Sequence, residues 1–318
     1  MKQKIIILFL VFLLGCETNT TNYKPSSSGN IHTISVVIDN NLWEGSLGNE
    51  IRNVFSSEFE GLPQQEAMFS LVQIPPKIFT DFSREGRNII HVTRNDKDTV
   101  FFEKNKYAAP QLILNLKGKS SKGIVENLKK ISKQSISIFK KGEIAEKQKR
   151  IKKSILKTEE FKTLGFDLTL PSAYKLFKKD SLNKLWFQRE TKKGSVNFLA
   201  YTLPFRSKKL DLKRIITIKD SIGKDFVPGR NEGSFLVTEK AYKPYFDNLT
   251  FKSFKTHKLR GTWEVVNDYM AGPFLMYYIE DVKNKRIIVL EGFVFSPSDR
   301  KREYMVEIEA IIQSFKIL

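Results

Sequence analysis

The sequence predicts an α+β protein: two α/β sandwich-like halves of largely antiparallel sheet with packed helices, joined by a long basic helix. Three observations carry this reading. Short β-branched and alternating stretches recur on both sides of the middle of the chain. A long stretch of helical spacing, about Lys119 to Phe161, separates them. The chain closes on two strong strands and one amphipathic helix. The 318 residues are ample for a sizeable hydrophobic core.

The first fifteen residues stand apart from this pattern. Lys2 and Lys4 precede the apolar run Ile5 to Leu14, about half of the roughly 20 residues that a helix needs to cross a bilayer. Length and basic flank fit a secretory signal peptide. The run ends in Leu13-Leu14-Gly15-Cys16, which resembles a bacterial lipobox, and Cys16 is the chain's single cysteine. The resemblance implies signal removal after residue 15 and lipid on Cys16, the anchor in a membrane. No later apolar run approaches 18 residues. Residues 16–30 are expected to be a flexible tether, because ETNTTNYKPSSSGN holds too little apolar surface to order itself. Fully extended, it would reach about 45–50 Å.

The formal charge is +19 and the isoelectric point near 9.7. The excess is mostly lysine, spread along the chain with acids interleaved, which describes a solvated surface rather than a nucleic-acid footprint. No nucleic-acid partner is expected.

In residues 31–160, Ile31 to Asp39 reads as a strand, and Leu47, Ile51, Val54 and Phe55 give a helix from about Glu44. Met68 to Ile74 is a second strand, ended by Pro75-Pro76. Asn88 to Thr93 and Thr99 to Lys104 are expected to form a hairpin around residues 95–98, and Gln111 to Leu116 another strand. The long helix should kink or break near Gly142. Its run Lys147, Lys149, Arg150, Lys152 and Lys153 fits a connecting helix that buries one narrow stripe and solvates the rest.

In residues 161–318, strands are read at Phe166 to Leu170, Leu185 to Glu190, Val196 to Leu203, Ser234 to Thr238 and Lys258 to Val266. A helix is read over Leu210 to Ile222. Phe274 to Glu280 and Arg286 to Phe295 form a strand pair. The second is apolar on both faces and should be central. Ser296-Pro297-Ser298-Asp299 has the composition of a helix start, with Tyr304, Ile308, Ile311, Ile312 and Phe315 as the buried face.

Candidate functional residues are few. His32, His91 and His257 lie on separate elements without metal-ligand spacing, so neither metal nor cofactor is expected. No nucleophile elbow, P-loop or dinucleotide fingerprint occurs. Glu291 interrupts an apolar strand and needs a partner if buried, with Arg189, Arg260 or Arg302 as candidates. Arg260-Gly261-Thr262-Trp263 and Met270 to Phe274 place glycines beside aromatics, as at a sheet bulge or ligand rim. Trp186 and Trp263 are candidate contact residues. The binding set expected from sequence is therefore Trp263, Arg260, Glu291, Trp186 and Arg189, with no catalytic residue assigned.

The motifs Leu42-Trp43, Gly61-Leu62-Pro63-Gln64, Ile74-Pro75-Pro76, Arg87-Asn88-Ile89-Ile90 and Ala108-Ala109-Pro110-Gln111 resemble those of a Bacteroidota lipoprotein family of unknown function, domain of unknown function 4837. Arg189-Glu190-Thr191, Arg260-Gly261-Thr262-Trp263, Gly272-Pro273-Phe274 and Glu291-Gly292-Phe293-Val294 are similar too. The order of elements in the second half also resembles a PsbP/Mog1-type sandwich. The resemblance implies a lipoprotein of a Gram-negative envelope and transfers no activity. With only Glu17 acidic after Cys16, the periplasmic face of the outer membrane is the expected location. The expected function is a non-enzymatic binding or envelope-assembly module, with an envelope protein or glycan as partner. A carboxylate-dependent envelope hydrolase is the alternative.

Overall fold

The structure is a computed structural model and describes residues 24–182, 184–205 and 210–318. Cys16 lies outside the described residues.

The first half contains β1 (Thr33–Val37), α1 (Asn40–Trp43), α2 (Ser46–Phe55), β2 (Ser70–Ile74) and two 3₁₀ turns (Pro76–Ile78 and Asp81–Glu85). β3 (Asn88–Arg94), β4 (Thr99–Lys104), β5 (Leu112–Gly118) and α3 (Ser121–Ile151) follow. The sheet order is β2-β1-β3-β5-β4. β1 runs parallel to β2 and β3, and β3 parallel to β5. This sheet is the exception to the antiparallel expectation. Its cause is a crossover: α2 buries Leu47, Ile51 and Phe55 between β1 and β2, and a strand–helix–strand unit returns parallel.

The hairpin expected between β3 and β4 does not form, because β5 inserts between them. β5 buries Ile113, Leu114 and Leu116, so it takes the inner place, and the half-exposed β4 takes the edge. The 95–98 loop crosses the end of β5 instead of turning. Asn95 N–H donates to the Gly118 carbonyl (3.1 Å), and Asp98 accepts from Lys119 N–H (3.1 Å).

α3 is continuous through Gly142, where a break was expected. The glycine serves packing: a Cβ there would sit 2.9 Å from Leu112 Cδ1. The next residue, Glu143, is fully buried and accepts from Arg87 Nε (2.7 Å), Asn88 Nδ2 (2.6 Å) and His32 N–H. Arg87 also donates to the carbonyls of Gly29 and Asn30. Burial holds His32 neutral, its pKa down at about 4.

The second half contains α4 (Glu160–Thr163), β6 (Phe166–Asp167), β7 (Lys175–Lys179), β8 (Leu185–Thr191), β9 (Gly194–Pro204), α5 (Leu212–Phe226) and β10 (Leu236–Thr238). It ends with β11 (Tyr245–Phe251), β12 (Phe254–Val265), β13 (Ala271–Asp281), β14 (Arg286–Phe295), α6 (Arg302–Gln313) and β15 (Lys316–Ile317). An antiparallel sheet runs β10-β12-β13-β14-β9-β8-β7, with β11 also paired to β12. β14 is central, as its two apolar faces predict. The β11–β12 hairpin turns at Lys252 (φ 49°) and Ser253 (φ 73°). Two successive positive φ values suit such a turn, but neither residue type announces it, and β11 went unread.

α6 begins three residues beyond the Ser296–Asp299 start signal. Its first amides are capped from the other half: Glu66 accepts from Lys301 N–H (2.6 Å) and Arg302 N–H (3.2 Å). Side chains of the large sheet alternate between two cores. One contains Leu275, Tyr277, Leu290 and Val294 beneath α6, and it is continuous with Ile34, Leu114 and Phe139 of the first half. The other contains Leu259, Trp263, Met276 and Val289 beneath α5.

Candidate functional site

Beyond the C-terminal end of α5, the large sheet carries a pocket of about 170 Å³. Strand alternation builds it. Trp186 on β8, Trp263 on β12 and Phe293 on β14 all lie on the α5 face. Phe293 stands between the two indoles, 6.0 Å from Trp186 and 5.5 Å from Trp263. Phe177 on the edge strand β7 lies 4.6 Å from Trp186 and stays 59% exposed, forming the rim. Met270 and Phe295 complete the apolar wall.

The polar groups are few. Trp186 Nε1–H donates to Asn197 Oδ1 (2.9 Å), and Asn197 Nδ2–H donates to Ser195 Oγ (3.0 Å). Trp263 is buried, and its Nε1–H has no hydrogen-bond partner among the described residues. Arg230, the one ionisable residue lining the pocket among the described residues, is held by Asp268 in a bidentate pair (3.0 and 2.6 Å). An apolar pocket with a few placed polar groups is the ordinary form of a ligand site.

The sheet divides the five residues expected from sequence. Trp186 and Trp263 meet at the pocket. Glu291 lies on the same face, two residues before Phe293, and is 2% exposed. Its partner is Lys219 of α5 at 3.3 Å, not one of the three arginines. Burial raises the Glu291 pKa, and the Lys219 ammonium opposes that only in part. Lys219 lies over Phe274, 4.5 Å from the ring centroid, and the buried Tyr201 hydroxyl has no hydrogen-bond partner among the described residues.

Arg260 and Arg189 belong to the opposite face. Arg189 joins Glu307 (2.8 Å), which also receives Lys147 (2.9 Å) and the Tyr174 hydroxyl (3.0 Å). Arg260 bridges Glu60 and Asp247, each at 2.6 Å. Arg302 donates to the Ala67 carbonyl (2.7 Å) and Ser70 Oγ (3.2 Å). The Arg260–Trp263 stretch is regular ladder rather than a bulge, with Trp263 opposite Gly272, and Trp263 and Met270 line the pocket.

Lys219 and Phe177 were missed. For Lys219 a signal existed: it shares the spacing of Ile215, Gly223 and Phe226 on the buried stripe of α5. For Phe177 none did, since KLFKK reads as a solvated segment.

Fold and pocket together define an α+β protein whose antiparallel half presents an aromatic cavity. The chain belongs to the family described as domain of unknown function (DUF4837), whose model matches residues 152–314. A second model, domain of unknown function (DUF8532), matches residues 27–152. The first-half motifs thus fall within this second span, and the two meet at the end of α3. No curated protein matches. Among solved structures, the chain resembles the Ran-binding protein Mog1p of Saccharomyces cerevisiae at 9% identity and a TM-score of 0.32, over 48% of this chain and 90% of that one. For PsbP (CyanoP) of Synechocystis sp. PCC 6803 the values are 12% and 0.31, over 51% and 89%. LpqN of Mycobacterium tuberculosis, involved in cell envelope biogenesis, gives 12% and 0.29, over 48% and 82%.

Proposed function

We propose that the chain is a non-enzymatic binding module, tethered to the outer membrane through lipid on Cys16, that holds an apolar side chain of another envelope protein in the Trp186–Trp263 pocket. One observation carries the reading: two tryptophans wall a cavity in which, among the described residues, no lining side chain can give or take a proton near neutral pH. Such a site can hold a group but offers no acid or base to transform it. Its size suits one ring or one branched side chain, below the roughly 300 Å³ at which whole small-molecule sites begin. The hydrolase alternative relied on Glu291, whose carboxylate is enclosed beneath α5 against Lys219, where substrate does not reach.

Photocrosslinking in whole cells tests this. A photoreactive phenylalanine analogue at Phe177 is expected to capture one discrete envelope protein, and the same analogue at the distant Lys133 is not. Capture of glycan alone, or equal capture from both positions, overturns the reading. The mass of the N-terminal peptide tests the acylation of Cys16 separately.

A further inference from the structure

A parallel sheet is normally covered on both faces, and the first sheet is covered unequally. The α2 and α3 side carries the main core. Among the described residues, the other side carries a small cluster of Val37, Phe79, Ile89 and Ile113 beneath the two 3₁₀ turns, with Ile74 and Tyr107 partly buried against it. Phe79 turns inward, 5.6 Å from His91 and 5.8 Å from Tyr107. The outer surface of the same turns is apolar: Ile78 is 62% and Phe82 83% exposed. Val72 is exposed at one edge of this face and Phe101 at the other, placed there by their register with Ser35 and Asn115. Single exposed apolar residues are ordinary, but two bulky ones on one short segment, with others at its margins, form a patch.

The N-terminal segment ends at this patch. Ala109 N–H donates to the Pro25 carbonyl (2.9 Å), Ser28 N–H to the Glu85 carbonyl (2.9 Å) and Arg87 N–H to the Ser28 carbonyl (2.9 Å). The tether expected to be flexible through Asn30 is therefore fastened from Pro25 onward, and Glu85 closes the turn that carries Phe82. Only eight residue steps separate Cys16 from Lys24, at most ~29 Å when extended. A lipid on Cys16 holds this face within that distance of the membrane.

We infer that Ile78 and Phe82 form a membrane-contact tip that seats the first sheet on the lipid surface to which the chain is tethered. The inference rests on the tethering proposed above. Lys24, Lys77 and Arg84 are offset by Asp81 and Glu85 around the tip, so apolar insertion rather than charge makes the contact. High salt leaves it unchanged.

Spin labelling of the full lipidated chain tests the tip. Lipid consumes Cys16, the one native cysteine, so Thr80→Cys gives a single label between Ile78 and Phe82 with both side chains intact. In vesicles of phosphatidylethanolamine and phosphatidylglycerol, that label is expected to lose collisions with an aqueous nickel complex several-fold relative to Lys133→Cys on α3. Adding Ile78→Ser and Phe82→Ser restores water access while the chain stays anchored. Equal water access at 80 and 133 in a chain shown by mass to be acylated overturns the tip alone. An unacylated Cys16 overturns the tethering and, with it, the inference.

Discussion

On the two faces of the eight-stranded sheet, Glu307 and Glu309 on one side and Glu291 on the other show opposite ways of burying a carboxylate. On the α6 face, Glu307 meets Arg189, Lys147 and the Tyr174 hydroxyl, and Glu309 meets Lys258 (2.6 Å) and the Tyr277 hydroxyl (3.3 Å). Burial alone would raise both carboxyl pKa values, yet the cations outweigh it and hold both below the ordinary carboxylate range. On the α5 face, Glu291 has one cation at 3.3 Å and its pKa is raised, while Tyr201 Oη and Trp263 Nε1 lack hydrogen-bond partners among the described residues. Buried polar groups in native proteins are nearly all satisfied. Both faces leave some groups unpaired among the described residues, Arg260 Nε and Thr262 Oγ1 on the α6 face and Tyr201 Oη and Trp263 Nε1 on the α5 face. The difference therefore lies in the carboxylates: Glu307 and Glu309 each meet a cation and a hydroxyl, and Glu291 meets one cation.

Removing a partner should therefore matter most on the α6 face. Glu307→Ala leaves the mostly buried Arg189, Lys147 and Tyr174 without their acceptor and is expected to cost about 3–5 kcal/mol in denaturant unfolding. A loss below about 1 kcal/mol would erase the contrast. On the α5 face the pair is replaceable. Lys219→Met combined with Glu291→Leu should leave stability within about 1 kcal/mol of the parent or raise it, because an ion pair this poorly supported does little better than packed hydrocarbon. Lys219→Met alone should be worse than the double variant, since it strands Glu291.

The pH dependence separates the faces by sign. Glu307 has a folded pKa below its ordinary 4.5. It contributes stability that is fully present above 4.5 and is lost as pH falls through the folded value. Glu291 has a folded pKa above 4.5. Its protonated form is favoured by folding, so stability is lost as pH rises from 4.5 through the raised value. Glu307→Gln should flatten the acid limb of the stability curve, and Glu291→Gln should flatten a fall on the neutral side. Slopes of the same sign in both variants would break the comparison.

What the sequence made legible was local. β14 declared itself by apolar residues on both faces, α5 by its spacing, and the β8–β9 pair by alternation around Gly194. The central position of β14 followed without reference to any partner. What stayed hidden depends on distant residues. The insertion of β5 between β3 and β4 is decided by competition for burial, which the individual strands do not encode. Gly142 reads as a breaker until Leu112 is seen packed against it. The site was half legible: Trp186 and Trp263 were singled out and do meet. Glu291 was recognised as needing a partner, but the arginines nearest in pattern lie across the sheet, and periodicity alone does not tell which helix will cover which face.

The smallest effect concerns how α6 begins. The Ser296–Asp299 signal is followed by two residues before the helix starts at Arg302, and the first amides are capped by Glu66, 235 residues away in sequence. A side chain that accepts from two amides at a helix start contributes about 1 kcal/mol, so Glu66→Ala should lower stability by about that much. Because Arg302 also donates to the Ala67 carbonyl and Ser70 Oγ, the start of α6 remains attached to the first half without the cap. The loss should therefore stay local. Hydrogen exchange is expected to speed up at Lys301 and Arg302 and to leave amides around Val227 and Leu236 at the pocket unchanged. If the pocket amides loosened as well, the two faces would be coupled through β14, and the separation between a closing face and a binding face would not hold.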